Sequence, residues 1–317
     1  MSKTRDHYIP AAFIGRFSFD LTEPLRRRTV WVARRSGAIY SASAEYEANQ
    51  RGFYSTSHGV NFDDAWSFTE AHLIAALDRL ESTPQALAAS DWIVLVQFVA
   101  ELFVRGPDFV QRYTRRMETL FQGQYDDVIP DQRGNTIVSM VIERQRLLWP
   151  VMTSGWTVLR ASGDTDFVTS DVGYAPTVHV DGRQGYVIPV GRQTAIAIMT
   201  DQQAPHLAYA DGMWRTDGIM SARLSGSEVL GANLAVARSC LSAFFGQTEA
   251  SVDLLLKQLG SERPDFGPEL LLPADKSGRV DSEWMRRAEQ NFFDVLATIG
   301  STLAKDGVHV QLERNSE

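Results

Sequence analysis

The chain of 317 residues contains a single cysteine, Cys240. One thiol excludes an intrachain disulfide and any zinc site built from cysteines. Cys240 sits in NLAVARSCLSAFFG, where Leu234, Ala237, Leu241 and Phe244 recur at helical spacing, so it reads as a small buried side chain and not a nucleophile. Long apolar runs are lacking too. The most apolar stretch, WIVLVQFVAELFV at 92–104, falls short of the roughly 20 residues that cross a bilayer and carries Gln97 and Glu101. It reads as a central buried helix. Lys3 and Arg5 are followed by His7 and Tyr8 instead of an apolar run, so no secretory leader is expected, and a cytoplasmic, reducing location is. Positive charge is in deficit, with 31 Lys and Arg against 39 Asp and Glu and a net charge of −8. That balance argues against strong non-specific binding to duplex DNA. The first 50 residues are the exception, with eight Lys or Arg against five acids, including Arg26–Arg28, Arg34 and Arg35. A solvated hairpin edge accounts for them, and a contact with an anionic ligand is the alternative.

Cofactor motifs are scarce as well. There is no GxGxxG after a strand, no GxxxxGK[ST], no HExxH, no GxSxG elbow and no calcium loop. The six histidines (7, 58, 72, 179, 206 and 309) form no pair at metal-ligand spacing. A divalent metal assembled from distant residues stays open as a cofactor, with His7 and Asp171 as its ligands if there is one.

What is present suggests strands, then helices, then strands and helices again, which is the pattern of an α+β fold. A short helix over 10–17 presents Phe13, Ile14 and Phe17. Residues 28–57 read as two strands turning at Ser36-Gly37, then a third short strand ending near Ser57. Four helices follow: one from Asp63 or Asp64 to Pro84, one at about 90–105, one at 108–122 and one at 135–150. Between the last two, QYDDVIPDQRGN reads as a loop. WTVLRAS, FVTSD, GYVIPV and TAIAIMT then suit an antiparallel meander, and helices at 227–245, 249–259 and 282–299 close the chain, with VHVQL near the end able to add an edge strand. The expected architecture is an antiparallel sheet with a largely helical middle insertion and C-terminal helices. Residues 1–60 form an N-terminal segment and hairpin, 61–153 a helical region, and 154–317 a meander with helices, together in one compact domain. One joined sheet and two separate sheets both fit.

Two stretches look unlike packing. His7-Tyr8-Ile9-Pro10 mounts a histidine ahead of an apolar anchor, with Pro10 restricting Ile9. FVTSDVG at 167–173 gathers Thr169, Ser170 and Asp171 where a strand should end. The plainer readings are a histidine bonded to a carbonyl and a hairpin turn.

HYIPAAFIGRF, RTVWVARR, GFYST, a helix carrying Glu70, FVRGPDF, FVTSD, VIPVGRQTAIAI and NLAVARS occur in an order that resembles the bacterial DUF4238 family over about residues 5–245. The resemblance implies that His7, Tyr8, Pro10, Arg105, Ser170, Asp171 and Asn233 stand at family-motif positions. Two departures are Ala11, where a polar residue is common, and Gly173, where a proline soon after the aspartate is usual. Separately, FYSTS at 53–57 looks like the Ser-Thr-Ser strand of Arg-Ser-Glu ADP-ribosyltransferases, with Arg34 or Arg35 upstream, yet no downstream glutamate motif follows. Arg51 and His58 echo a ribonuclease spacing on a strand-like stretch.

The expected function is hydrolysis of a phosphodiester or other anionic substrate, nuclease-like, at a cleft with His7 and Asp171 on opposite walls. Asp171 would be the general base or a metal ligand and His7 the general acid or second ligand, while Tyr8, Arg105, Ser170 and Asn233 bind substrate. A small anionic ligand or RNA is the expected partner, and no membrane. The alternative is a non-catalytic ligand-binding or interaction protein. Oligomeric state is not legible.

Overall fold

The computed structural model describes residues 5–55, 62–124, 131–178, 182–199, 206–210, 213–260, 262–264 and 266–267. The chain opens with a three-residue strand, β1 (Arg5–His7), and a four-residue helix, α1 (Ala11–Ile14), which starts directly after Pro10. Pro10 has no N–H to leave unpaired at a helix start. Phe13, Ile14 and Phe17 are fully buried, so the apolar anchor forms as expected. β2 (Thr29–Arg34) and β3 (Ile39–Ser43) make an antiparallel hairpin turning at Gly37 (φ 101°). The third strand differs from expectation. β4 (Asn49–Arg51) pairs with β1 in a separate two-stranded ribbon, and Gly52–Tyr54 is a turn, because Gly52 takes a left-handed φ of 61°.

The helical region follows the apolar periodicity closely. α2 (Ser67–Ser82), α3 (Ala89–Val104), α4 (Pro107–Leu120) and α5 (Gln132–Thr153) come in succession. α5 begins at an Asp131 cap, whose side chain accepts from the Gly134 N–H at 2.9 Å. α3 packs between α2 and α5 and is buried on nearly every side, Glu101 and Asp91 included.

Beyond it lie β5 (Gly155–Ala161), β6 (Thr169–Ser170), β7 (Ala175–Val178), β8 (Gln184–Gly191), β9 (Thr194–Met199), β10 (His206–Ala210), β11 (Met213–Asp217) and β12 (Met220–Leu224). Then come α6 (Gly226–Ser239), β13 (Ala243–Gly246) and α7 (Glu249–Leu256). Strands group into a five-stranded sheet, β12-β5-β9-β8-β7, a four-stranded sheet, β3-β2-β13-β6, and the ribbons β1-β4 and β10-β11. The fold is α+β, with the N-terminal hairpin and the later strands in two main sheets. β12 pairs parallel to β5, so the larger sheet is mixed and not a pure meander.

A second difference matters for the site. The expected helix over 227–245 ends at Ser239, and Ala243–Gly246 is instead the strand that joins β2 to β6. Every residue of β13 is buried, so it has no apolar–polar alternation to separate it from helix. The expected helix at 282–299 and strand at VHVQL lie outside the described residues, as do residues 125–130 of QYDDVIPDQRGN. One cluster of buried side chains runs from Ile9 through the helices to Leu255.

Gly173 ties these parts together. Its φ is +82°, and a Cβ there would lie 2.8 Å from Leu102 Cδ2 and 3.3 Å from Ile9 Cδ1. Gly173→Ala is therefore expected to cost about 1–2 kcal/mol, from the left-handed backbone and the close approach of Leu102. Urea unfolding measures it, and an unchanged midpoint would contradict the geometry.

Candidate functional site

Of the HYIP segment, Ile9 lies beside Gly173 just past the TSD turn and Tyr8 lies within the field of Asp171. Successive residues of an extended segment point to opposite sides, and His7 and Tyr8 accordingly enter two different polar clusters.

Asp171 anchors the first cluster. Its Oδ1 accepts from the Leu241 N–H (2.8 Å), and its Oδ2 accepts from the Ser242 N–H (2.7 Å), the Ser242 hydroxyl (2.7 Å) and the Ala243 N–H (3.1 Å). Its own N–H donates to Ala243 O at 3.0 Å. Burial raises its carboxyl pKa, while the Ser242, Leu241 and Ala243 donors pull the other way. At 3% exposed and with four donors in place, this carboxylate closes the corner between α6 and β13. Ser170 supports the same turn: its Oγ accepts from the N–H groups of Val172 (3.3 Å) and Gly173 (3.2 Å). Asn233 brackets the strand leading in, donating to Asp166 O (2.8 Å) and accepting from the Val168 N–H (2.9 Å). Tyr8, half-buried, feels the Asp171 charge after burial itself as a cause of its raised pKa. Beside it Arg34 donates to Tyr40 Oη (2.7 Å) and Glu47 Oε2 (2.7 Å). Cys240 borders this cluster, and burial pushes its thiol up to about 12, which leaves it unreactive at neutral pH.

His7 belongs to the second cluster. Its Nε2 lies 3.0 Å from Glu45 O, which fixes the proton on Nε2 and leaves Nδ1 without a hydrogen-bond partner among the described residues. Burial is the main cause of its lowered pKa, opposed by the hydrogen bond with Glu45 O, and the charges acting on it are those of Arg26, Glu70 and Arg105, with Asp171 not among them. Arg105, 2% exposed, donates through Nε to Tyr54 Oη (2.8 Å) and through Nη2 to His7 O (2.7 Å) and to Glu70. It thereby holds the histidine's main chain. Among the described residues its Nη1 has no partner, and neither has the buried Nε1 of Trp66, whose ring lies between 5 and 6 Å from the guanidinium groups of both Arg105 (5.4 Å) and Arg144 (5.1 Å).

Of the six expected site residues, the structure brings His7 together with Arg105, and Tyr8 with Asp171. It does not put His7 and Asp171 on facing walls, since Asp171 faces the 240–243 corner. Glu101 was missed as a site residue. It accepts from Thr69 Oγ1 (2.6 Å), lies 3.4 Å from Arg144 Nη1, and burial pushes its pKa up to about 7. Its signal was the spacing of four between Gln97, Glu101 and Arg105, a polar line on an otherwise apolar helix. Among the described residues no group of three or more His, Cys, Asp or Glu is arranged to hold a metal. Of FYSTS, Phe53 and Tyr54 are buried in a turn, and residues 56 and 57 lie outside the described residues, as does His58.

The fold and site define an α+β scaffold that carries an arginine-braced histidine and, in a separate cluster, a buried aspartate corner. The chain belongs to the family described as protein of unknown function (DUF4238), whose model matches residues 5–211. No curated protein and no solved structure matches it. No helix among the described residues is long and apolar enough to cross a membrane.

Proposed function

We propose that the protein hydrolyses a phosphodiester or another anionic ester, with His7 as the group that moves the proton. The observation that supports this most is the His7 imidazole: its Nε2 is held by the Glu45 carbonyl, its Nδ1 is unbonded among the described residues, and its main chain is braced by Arg105. A lowered pKa keeps the ring neutral near pH 7, so it suits a general base better than the acid role expected from sequence. Nδ1 takes a proton from water as the water oxygen bonds to phosphorus. The bond to the leaving oxygen breaks, and the imidazolium returns the proton to it. Arg26 and Arg105 supply positive charge near the developing anion. Asp171, Ser170 and Asn233 serve this reading as the frame behind the N-terminal segment.

His7→Gln tests it. Gln can still donate to the Glu45 carbonyl, so stability should change by less than about 1 kcal/mol. Turnover of bis(4-nitrophenyl) phosphate should fall by about 100-fold or more. In the wild type the rate should rise with pH through a midpoint below 6.5 and level off near neutrality, as the base loses its proton. Equal turnover in the variant ends the proposal. A non-catalytic ligand-binding role is the second reading, favoured by the buried donors of Arg105 and Trp66 that have no partner among the described residues. The compartment we infer is the cytoplasm, since the only thiol is buried and no disulfide is needed.

A further inference from the structure

The β1–β4 ribbon that carries His7 has an unusual edge. Arg5 and Arg51 are directly opposite in its register, and both are exposed. Like charges opposed across a ribbon repel, and among the described residues no acid pairs with either. Arg5, Arg26, Arg27 and Arg51 have no side-chain hydrogen bond or ion pair among the described residues. Arginines elsewhere are commonly tied to acids: Arg16 to Asp78 and Glu81, Arg34 to Glu47, Arg79 to Asp91, Arg192 to Asp166. Among the described residues Arg116, Arg223 and Arg238 are also unpaired, but each stands on a different element. Free arginines thus gather around His7, in a chain whose net charge is −8.

An exposed aromatic ring stands among them. Tyr46 is 60% exposed, and the Arg5 guanidinium lies 5.6 Å from its ring centroid. Tyr46 ends the turn Ala44–Tyr46, whose Glu45 carbonyl holds His7. The turn Leu25–Arg27, which carries Arg26 and Arg27, packs against it, with Ser43 Oγ donating to Arg27 O at 3.1 Å.

We propose that this edge is a binding surface for single-stranded oligonucleotide, with a base stacked on Tyr46 and backbone phosphates on Arg5, Arg26, Arg27 and Arg51. It rests on the reading that His7 works on a phosphodiester, and it names the substrate class. Stacking needs an unpaired base, and a ring flanked by guanidinium groups is the usual chemistry of single-strand grooves. The ribbon is roughly 10 Å long at about 3.3 Å per residue. Its footprint is therefore a few nucleotides, and the acidic remainder of the surface disfavours a long duplex.

Fluorescence anisotropy with a labelled ten-nucleotide single strand of RNA, the same strand of DNA, and the matching duplex tests this on the full chain. Single strands should bind more tightly than the duplex, and RNA against DNA shows which sugar is preferred. Tyr46→Ala should weaken binding about tenfold. Arg51→Gln should reduce the slope of log affinity against log salt by about 0.7, and Arg116→Gln on α4 should change neither. The surface is refuted if no strand binds, if the duplex binds best, or if Arg116→Gln weakens binding as much as Arg51→Gln. Oligonucleotide binding without His7-dependent turnover would keep the surface and remove the hydrolase reading. His7-dependent turnover of the small diester with no oligonucleotide binding would do the reverse.

Discussion

Asp171→Asn should lower the free energy of unfolding by about 3 kcal/mol. The carboxylate accepts from three main-chain N–H groups and one hydroxyl, split one to Oδ1 and three to Oδ2. An Asn amide offers one oxygen. If that oxygen takes the Oδ2 position, the amide NH2 meets the Leu241 N–H, and two donors confront each other in a buried corner. Hydrogen bonds to a charged acceptor contribute about 1.5–3 kcal/mol each, and an unsatisfied buried donor costs about 1–3 kcal/mol. Neutralising a carboxyl whose pKa burial has raised returns part of that, which keeps the total near 3 kcal/mol and not higher. Ser242→Ala removes only the hydroxyl donor and should cost about 1 kcal/mol. Urea unfolding at constant m-value measures both. A loss below 1 kcal/mol for Asp171→Asn would mean that the aspartate is a replaceable turn residue, as plain hairpin chemistry would allow.

Unfolding free energy should also fall by about 3 kcal/mol as pH rises from 4.5 to 8, through Glu101. Burial is the main cause of its pKa rising from 4.5 to about 7, against the pull of Arg144 and Arg105. A carboxyl that holds its proton more tightly folded than unfolded stabilises the fold fully below the unfolded value and loses that contribution through the folded one. Each pKa unit is worth about 1.4 kcal/mol, which sets the size. Glu101→Gln retains a hydrogen-bond acceptor for Thr69 and Arg144 and cannot titrate. Its stability should be the flatter over this window. Parallel curves for variant and wild type would remove Glu101 as the source.

The apolar anchor, the hairpin at Gly37 and the four middle helices were legible because each is a local pattern. Phe13 and Phe17 lie four apart, and α2 to α5 show their buried face at spacings of three and four. β13 was not legible: AFFG is buried on both faces, so helix and strand leave the same apolar run. Misreading it as helix hid the corner at Leu241–Ala243, and with it the reason for Asp171. The resemblance to DUF4238 found the family-motif positions without saying what each side chain touches.

By itself the sequence determined the α+β class, the family, the burial of 92–104 and the identity of the polar residues on rigid mounts. The class and the burial follow from periodicity and composition within a window of some twenty residues, and the family from the order of motifs along the chain. Tertiary structure alone decided which polar groups meet. Glu45 reaches His7 across 38 residues, Arg105 reaches it across 98, and Ser242 reaches Asp171 across 71. The side chains of His7 and Tyr8 are adjacent in the chain yet fall into separate clusters, because extended backbone turns neighbours to opposite sides. No local spacing encodes those partners, since hydrogen bonds between distant segments are set by how the sheets and helices pack.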